Sequence, residues 1–293
     1  MKGIILAGGT GSRLAPITTT ISKQLLPIHD KPMIFYPLST ILLAGIRDIL
    51  IIVDPAQKNH FEKLLGDGSD LGANISYTTQ EKPEGIGQSF ILAEDFLGND
   101  SCLFILGDNI FYGTNFTNML KARISDHLKL AGVTLFCHNV NNPKEFGVAE
   151  IKGKRVISLE EKPAHPKSNL AVTGMYIYDN NVVKYAKKIK KSARGELEIT
   201  DINKIYLKKN KISYHDLGRG YAWLDTGTSE ALNKAANFIQ IIEERQGLKI
   251  GCLEEIALRN KWISKDKLSK YLKKKPNSSY YGYLKKLLKN DQI

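Results

Sequence analysis

Four short apolar runs alternate with helix-like segments in the first third of this 293-residue chain, and this alternation limits the folds available to it. The runs lie at residues 3–7, 48–53, 74–79 and 101–106. Between them, helical spacing of apolar residues predicts helices over residues 30–44, over residues 57–65 and in a segment closing near Leu97 and Gly98. Asp30 is the expected N-cap of the first helix, Pro32 lies in its first turn and Gly45 ends it. Apolar strands separated by helices predict an α/β fold with a mostly parallel sheet covered on both faces.

The second half of the chain has a different pattern. Strand-like runs at residues 133–138, 146–152, 156–160 and 173–178 follow one another with short connections, which predicts antiparallel additions to the sheet. Helices are predicted at residues 198–209 and 229–245, a further strand at 212–217, and short lysine-rich helices after Gly251. We therefore expect a single domain, with a core over residues 1–228 and a packed helical extension over residues 229–293.

A glycine-rich turn follows the first strand. Gly8, Gly9 and Gly11 let backbone N–H groups approach an anion closely, and Arg13 adds a forked donor that suits phosphate oxygens. The turn lacks the lysine of a P-loop, and Leu14 stands where a dinucleotide fingerprint needs its third glycine. A phosphate cradle and a strand-to-helix turn without a ligand both remain open.

Two aspartates stand near predicted strand ends. Asp108 follows the strand at residues 101–106, where it and the glycine turn can converge, and Asp225 precedes the helix at residues 229–245. Two carboxylates beside a phosphate cradle would suit Mg²⁺, which prefers a few carboxylate oxygens together with water and substrate phosphates. Each aspartate alone is equally explained as a turn or helix-cap residue.

The net charge of +12 raises the question of a nucleic-acid partner. The excess lysine lies mostly at helical spacing over residues 184–191, 204–211 and 261–289, which is typical of solvated helix faces. No nucleic-acid-binding module accompanies it, so we expect no nucleic-acid partner. The three widely spaced cysteines, the absence of a bilayer-length apolar run and the short N-terminal apolar run predict a cytoplasmic protein with no membrane partner.

Nine blocks spread over the whole chain resemble the sugar-phosphate nucleotidylyltransferases, and within that family the members that use a thymidine nucleotide. They are LAGGTGSRL (residues 6–14), SKQLLP (22–27), DKPMIFYPLSTILLAGIRDILII (30–52), LLGDGS (64–69), LGDNIFYG (106–113), ISLEEKP (157–163), AVTGMYIYD (171–179), RGELEITDIN (194–203) and GRGYAWLDTGT (218–228). The resemblance implies the Rossmann-like fold of nucleotide-diphospho-sugar transferases. It also implies Mg²⁺ as cofactor, dTTP and glucose 1-phosphate as substrates, and a homotetramer.

The resemblance also assigns roles to individual residues. It implies that the nucleotide is held by Gly8, Gly9, Gly11, Arg13, Lys23, Gln24, Gln80, Gly85 and Asp108, with Gln80 and Gly85 reading the pyrimidine edge. The sugar-phosphate side is assigned to Asn109, Gly147, Glu161, Lys162 and Val172, and the metal to Asp108 and Asp225. The implied catalytic group is Arg13, Lys23, Asp108, Lys162 and Asp225.

The implied reaction is direct attack of a glucose 1-phosphate oxygen on the α-phosphorus of dTTP. It gives dTDP-glucose and pyrophosphate, the first step towards dTDP-L-rhamnose and related deoxysugars. No protein nucleophile is required, so catalysis would consist of positioning and of neutralising negative charge.

Some positions depart from the pattern of the family. Phe146 stands where a tyrosine is common, which removes a hydroxyl from the sugar side. Arg219, Glu255 and Arg259 match positions of a second, regulatory nucleotide site, whereas Thr114 and Asn118 differ from what that site usually contains.

Three functional hypotheses follow. The first is an active enzyme that uses dTTP, and the second is the same chemistry with a preference for UTP, because one methyl group discriminates by only about 1–3 kcal/mol. The third is a catalytically silent sensor of nucleotide sugars. The presence of all five residues of the implied catalytic group argues against the sensor.

Overall fold

The computed structural model of the chain describes residues 1–9 and 11–289. Its strands are β1 (Lys2–Ala7), β2 (Pro27–Ile28), β3 (Lys31–Pro32), β4 (Asp48–Val53), β5 (Asn74–Thr79), β6 (Cys102–Leu106), β7 (Asn109–Gly113), β8 (Val133–Asn139), β9 (Gly147–Lys152), β10 (Arg155–Glu161), β11 (Leu170–Tyr178), β12 (Ile212–Asp216) and β13 (Tyr221–Asp225). Its helices are α1 (Phe35–Leu43), α2 (Lys58–Leu65), α3 (Gln88–Leu92), α4 (Glu94–Leu97), α5 (Phe116–Leu130), α6 (Asn181–Ala186), α7 (Ile199–Lys208), α8 (Ser229–Gln246), α9 (Leu253–Arg259), α10 (Lys265–Lys273) and α11 (Ser279–Lys289). Thr10, in the glycine-rich turn, and residues 290–293, at the end of the predicted extension, lie outside the described residues.

The central sheet is parallel in its first half, as the apolar runs predict. Strands β6, β1, β4 and β5 lie side by side in that order and are mutually parallel. Alternate residues of these strands enter two separate cores: Ile5 and Ile49 face one, and Ile4 and Leu50 the other. The first core is covered by α1, α2, α5 and the three C-terminal helices, and the second by α3, α4, α6 and α7. Burial on both faces explains why β1, β4 and β6 are almost continuously apolar, whereas the edge strand β5 is more polar and partly exposed.

The antiparallel additions centre on β11. One edge of β11 pairs with β8, to which β12 adds in parallel. The other edge pairs with two strands in turn: with β9 at Ala171 and Val172, and with β6 from Met175 onward. Thr173 and Gly174 lie between these two pairings, so a gap opens in that edge of the sheet beside the end of β6. This gap helps to form the cleft described below.

The start of the first helix was predicted wrongly. Residues 27–32 form the β2–β3 hairpin, and α1 begins at Phe35 without a side-chain cap. Asp30 instead pairs with Lys31 at 2.6 Å and with Lys249, so tertiary ion pairs take the carboxylate that would have capped the helix. The predicted end is correct, since Gly45 follows with a positive φ of 84°.

Several elements carry no clear signal in the sequence. Helix α5 has Phe116, Leu120 and His127 as its buried residues, which is a sparse apolar face for fifteen residues. Strand β7 begins directly after the Asp108 turn and pairs with β13, so its existence depends on a partner far along the chain. The helix predicted to close near Leu97 is two short helices, α3 and α4, separated at Ala93.

A buried ion network attaches the C-terminal half of α8 to the β2–β3 hairpin. Lys31 Nζ lies 2.9 Å from Glu243 Oε1, and both side chains are almost fully buried. Lys249 Nζ lies 3.0 Å from Glu243 Oε2 and also pairs with Asp30. These contacts support the expectation that the extension packs on the core, while the division at residue 228 stays a prediction. Among residues 1–9 and 11–289, no helix has the length and apolar character needed to cross a membrane.

Candidate active site

A cavity of about 500 Å³ lies at the carboxyl ends of β1 and β6, beside the gap in the edge of β11. It is lined by all fifteen residues that the sequence assigns to substrates or metal: Gly8, Gly9, Gly11, Arg13, Lys23, Gln24, Gln80, Gly85, Asp108, Asn109, Gly147, Glu161, Lys162, Val172 and Asp225. The fold therefore brings these residues together from both halves of the chain. Their individual roles stay predictions.

The glycine-rich turn is shaped by what lies against it. A Cβ atom on Gly8 would stand 2.4 Å from Oε1 of Gln80, so a side chain there would displace the Gln80 amide. Gly9 has a φ of +97°, a conformation that residues with a Cβ rarely adopt. The guanidinium of Arg13 packs over Gly227, where a Cβ would lie 3.0 Å from Nη2. The turn and the segment after β13 thus form adjoining walls of the cleft.

Lys23 and Asp108 form a close ion pair in the floor of the cleft. Lys23 Nζ lies 2.5 Å from Asp108 Oδ2, and 7% of the lysine side chain is exposed. Asp108 Oδ1 accepts a hydrogen bond from Asn109 Nδ2 at 2.9 Å. The main-chain carbonyl of Asp108 accepts from both N–H and Oγ1–H of Thr226, at 3.2 and 2.8 Å. Asp108 is therefore fixed through both its carboxylate and its backbone.

Asp225 faces the same space. It lies opposite Asn109 in the antiparallel pairing of β13 with β7. Burial raises the pKa of the Asp225 carboxyl, and the nearby charge of Asp108 raises it further, while Lys23 and Arg13 oppose the shift. Two carboxylates are thus held close enough to repel each other, in a site that also contains two cations.

Asn109 joins three parts of the fold. Its Oδ1 accepts hydrogen bonds from Trp223 Nε1 at 2.6 Å and from the Gly174 N–H at 3.1 Å, which fills the unpaired edge of β11. Its Nδ2 donates to Asp108. The side chain is 2% exposed, so most of its hydrogen-bonding capacity is used within the protein. The sequence assigned Asn109 to the sugar phosphate; the structure adds this internal role.

Gln80 and Gly85, predicted to read the pyrimidine edge, line the same cavity as Gln24, which is predicted to hold the nucleotide. Gln24 and Gln80 are both buried, and Gln24 Oε1 accepts from Ser22 Oγ at 2.7 Å. Gly85 lies against the backbone of Leu197, whose nitrogen would stand 2.6 Å from a Cβ at that position. Residues after α6 therefore help to hold the loop that follows β5.

Glu161, predicted to bind the sugar phosphate, lies within a charged group. Thr200 Oγ1 donates to Glu161 Oε2 at 2.5 Å, and Arg194 Nη2 lies 3.5 Å from Glu161 Oε1. Arg194 pairs more closely with Glu198, at 2.8 Å. Burial raises the pKa of the Glu161 carboxyl, and the Thr200 hydroxyl and the Arg194 charge reduce the shift. Gly147 and Val172 face each other in the pairing of β9 with β11.

Lys162 has an unusual backbone. Its φ of +43° is rare for a residue with a side chain and costs about 1–2 kcal/mol. Its N–H donates to the carbonyl of Phe146 at 3.0 Å, which helps to hold this conformation at the rim of the cleft. The ring of Phe146 packs on Trp223 with centroids 5.0 Å apart, so the phenylalanine keeps an apolar contact where the family commonly has a tyrosine.

Among the cleft residues to which sequence reasoning gave no role, Arg194, Thr200 and Trp223 contact residues that it did assign. All three lie inside blocks that carry the resemblance, but their functions depend on contacts with Glu161 and Asn109 that only the fold reveals. The residues matched to a regulatory site lie elsewhere. Arg219 is exposed on the turn before β13, and Glu255 and Arg259 pair at 2.8 Å on α9.

Comparison with known proteins agrees with this geometry. The family described as "Nucleotidyl transferase" matches residues 2–241. The chain is 55% identical over 291 residues to the glucose-1-phosphate thymidylyltransferase of Neisseria meningitidis, covering 99% of this chain and 100% of the relative. It is 50% identical to the protein of the same name from Mycolicibacterium smegmatis, covering 98% of this chain and 99% of the relative.

Solved structures give the same result. A crystal structure from Bacillus anthracis, provisionally named a glucose-1-phosphate thymidylyltransferase and solved with sucrose, has a TM-score of 0.75 at 43% identity. It covers 81% of this chain and 94% of that one. A UDP-glucose pyrophosphorylase complexed with UDP-glucose has a TM-score of 0.73 at 25% identity, covering 82% of this chain and 98% of that one.

The fold and the cleft are thus those of an enzyme that transfers nucleotidyl groups, and the chain belongs to the nucleotidyl transferase family. The curated relatives named above carry one name, glucose-1-phosphate thymidylyltransferase. The predicted resemblance and the predicted fold class are confirmed.

Proposed function

We propose that this chain transfers the dTMP group from dTTP to α-D-glucose 1-phosphate, giving dTDP-glucose and pyrophosphate. The observation that carries the proposal is the convergence in one cleft of the glycine-rich turn, the two aspartates and the Glu161–Lys162 pair. The near-full-length relatives of the same activity support it.

The chemistry follows from the charges in the cleft. An oxygen of the sugar phosphate attacks the α-phosphorus of dTTP, a new P–O bond forms, and the bond to the β-phosphate breaks as pyrophosphate leaves. Both reactants are anions, so the protein must overcome their repulsion and hold them in line. Arg13, Lys23 and Lys162 line the cleft and supply positive charge where the leaving group and the α-phosphoryl oxygens become more negative.

Asp108 and Asp225 would hold a divalent metal ion, and we propose Mg²⁺. Their carboxylates are hard oxygen donors, and the pKa of the Asp225 carboxyl is raised first by burial and then by the nearby charge of Asp108, so the two carboxylates lie close enough to share one cation. When bound, Mg²⁺ supplies charge neutralisation at the triphosphate. Lys23 contacts Asp108, so its positive charge offsets part of the repulsion between the two carboxylates.

The two ends of the cleft would bind the two substrates. On the base side, the side-chain amide of Gln80 can both donate to and accept from a pyrimidine. On the sugar side, Glu161 can accept hydrogen bonds from sugar hydroxyls, and the nearby Arg194 favours the ionised form that does so. Lys162 would pair with the phosphate of the sugar.

The setting of the enzyme is also proposed. The three cysteines are free and buried, which suits a reducing cytoplasm. The resemblance to the family further suggests a homotetramer and a regulatory site that includes Arg219, Glu255 and Arg259.

The experiment that tests the proposal is pyrophosphate release by the purified chain with Mg²⁺ and glucose 1-phosphate, comparing dTTP with UTP at subsaturating concentrations. We expect release that favours dTTP and that falls by about a hundredfold or more in a folded Asp225→Asn variant. Comparable or faster release with UTP would change the substrate but keep the mechanism. No release from a folded sample with either nucleotide would refute the enzyme and favour the sensor.

A further inference from the structure

The amide of Gln80 begins a hydrogen-bond chain that leads away from the cleft. Gln80 lines the cavity and is 4% exposed, whereas Gln88, the first residue of α3, lies behind it. Gln80 Nε2 donates to Gln88 Oε1 at 2.7 Å. Gln88 Oε1 also accepts from the backbone N–H of Glu84 at 3.1 Å, and Gln88 Nε2 donates to Glu84 Oε2 at 3.2 Å.

The orientation of both amides follows from groups that can act in only one way. The backbone N–H of Glu84 can only donate and its carboxylate can only accept, so Gln88 must present its oxygen to the first and its nitrogen to the second. The oxygen of Gln88 then requires a donor from Gln80, which fixes Nε2 of Gln80 on that side. Oε1 of Gln80 consequently faces Gly8, in the wall of the cleft.

Glu84 is itself held on two sides. Lys191 Nζ lies 2.5 Å from Glu84 Oε1, and the Leu197 N–H donates to the Glu84 carbonyl at 2.7 Å. The residue at the end of the chain of hydrogen bonds therefore does not turn freely. The fixed position of Glu84 restrains the Gln88 amide, which in turn restrains the Gln80 amide.

A fixed amide can distinguish pyrimidines. Thymine and uracil present an N3–H donor beside the O4 acceptor, whereas cytosine presents an N3 acceptor beside an amino donor. For a base held in one position, an amide that serves the first pair must turn by half a rotation to serve the second. If Gln80 turned, its oxygen would face Gln88 Oε1 at 2.7 Å, and two acceptors would then stand in contact.

We propose that Gln88 is a positioning residue that locks the Gln80 amide with its oxygen towards the base, and thereby selects pyrimidines that carry an N3 proton against cytosine. The proposal rests on the proposed function in one respect, namely that Gln80 contacts the base. Gln88 touches no substrate and acts only through Gln80.

The test compares kcat/KM for dTTP and dCTP, with glucose 1-phosphate, in the wild type and in Gln88→Met. Methionine keeps the length of the side chain but cannot hold the amide. We expect the preference for dTTP to fall by about tenfold or more, through a higher KM for dTTP and a higher kcat/KM for dCTP, while kcat with dTTP changes by less than about threefold. Gln88→Glu still accepts from Gln80, so it should keep the wild-type preference even though its charge repels Glu84.

The matched control is Gln240→Met, which removes an exposed hydrogen bond to Glu244 on α8 and should leave the preference unchanged. An unchanged preference in a folded Gln88→Met variant would overturn the lock, as would an equal loss in Gln88→Glu. If the wild type releases no pyrophosphate, the proposed function fails, and the role of Gln88 is then tested by calorimetric dissociation constants for dTTP and dCTP. If the wild type binds dTTP more tightly than dCTP and Gln88→Met does not, the proposed lock is supported. If Gln88→Met keeps the same preference, the lock is refuted.

Discussion

The Asn109 side chain connects the stability of the fold to the geometry of the cleft, and Asn109→Leu tests this connection. Leucine has a similar size but can neither accept from Trp223 and Gly174 nor donate to Asp108. Gly174 is buried, so its N–H would lose its partner without access to water. The Trp223 side chain is partly exposed, and its Nε1–H can regain a hydrogen bond to water.

The expected loss of stability in Asn109→Leu follows from these two donors. A buried donor left without a partner costs about 1–3 kcal/mol, so we expect the free energy of unfolding to fall by about 2–4 kcal/mol. Because a domain is usually stable by about 5–15 kcal/mol, the variant should still fold at 25 °C. Asp108 would keep Lys23 but lose the bond from Asn109, and misplacement of this carboxylate should lower kcat by about 10- to 100-fold.

Urea denaturation gives the free energy of unfolding, and pyrophosphate release with saturating substrates gives kcat. Asn74→Leu is the control, because Asn74 lies on the edge strand β5 and makes an exposed hydrogen bond to Asp48. Its replacement should lower the free energy of unfolding by less than about 0.5 kcal/mol. A stability of Asn109→Leu equal to that of the wild type would refute the structural role. Wild-type kcat in a destabilised but folded variant would refute the link to Asp108.

Three further predictions concern charged residues. Arg13→Ala should mainly lower kcat, and Glu161→Gln should mainly raise KM for glucose 1-phosphate, each by about tenfold or more. Steady-state kinetics that show the reverse pattern would contradict both assignments. Glu243→Gln removes an anion from the buried Lys31, so urea denaturation should show a loss of about 2–4 kcal/mol, and a loss below about 0.5 kcal/mol would contradict the network. Burial raises the pKa of the Glu254 carboxyl, so the native state holds its proton more tightly than the unfolded state does, and the stability that this proton contributes is lost as pH rises above about 4. The melting temperature of Glu254→Gln relative to the wild type should therefore increase with pH, and a constant difference would show that this carboxyl does not titrate as described.

The strands of the parallel sheet could be predicted because burial on both faces leaves a direct mark on the sequence. Residues 48–53 were predicted with the bounds that β4 has, and the bounds of the more polar edge strand β5 were also predicted correctly. The start of α1 could not be predicted, because the Asp30 carboxylate pairs with Lys249, more than two hundred residues away in sequence. Local capping preference cannot include a partner that distant.

The candidate active site likewise contains features that the sequence predicts and features that it does not. The resemblance identified residues that mostly lie in the nine quoted blocks, together with Gln80, Gly85 and Gly147 outside them, and the fold gathers them in one cleft. The proximity of Asp108 to Asp225 was expected from the resemblance alone; no spacing in the sequence shows it, since it depends on the pairing of β7 with β13. Gln88 and Trp223 were missed for a related reason: each acts on another side chain, through contacts that leave no regular spacing in the sequence.

The stereochemical course at the α-phosphorus tests the central claim, direct attack by the sugar phosphate, most directly. The substrate is dTTP with sulfur in place of one non-bridging α-oxygen, in a single configuration, and ³¹P NMR of the product gives the configuration of the thio-substituted dTDP-glucose. Attack in one displacement step predicts inversion. Retention would require two displacements through a covalent intermediate on the protein, and would contradict the account.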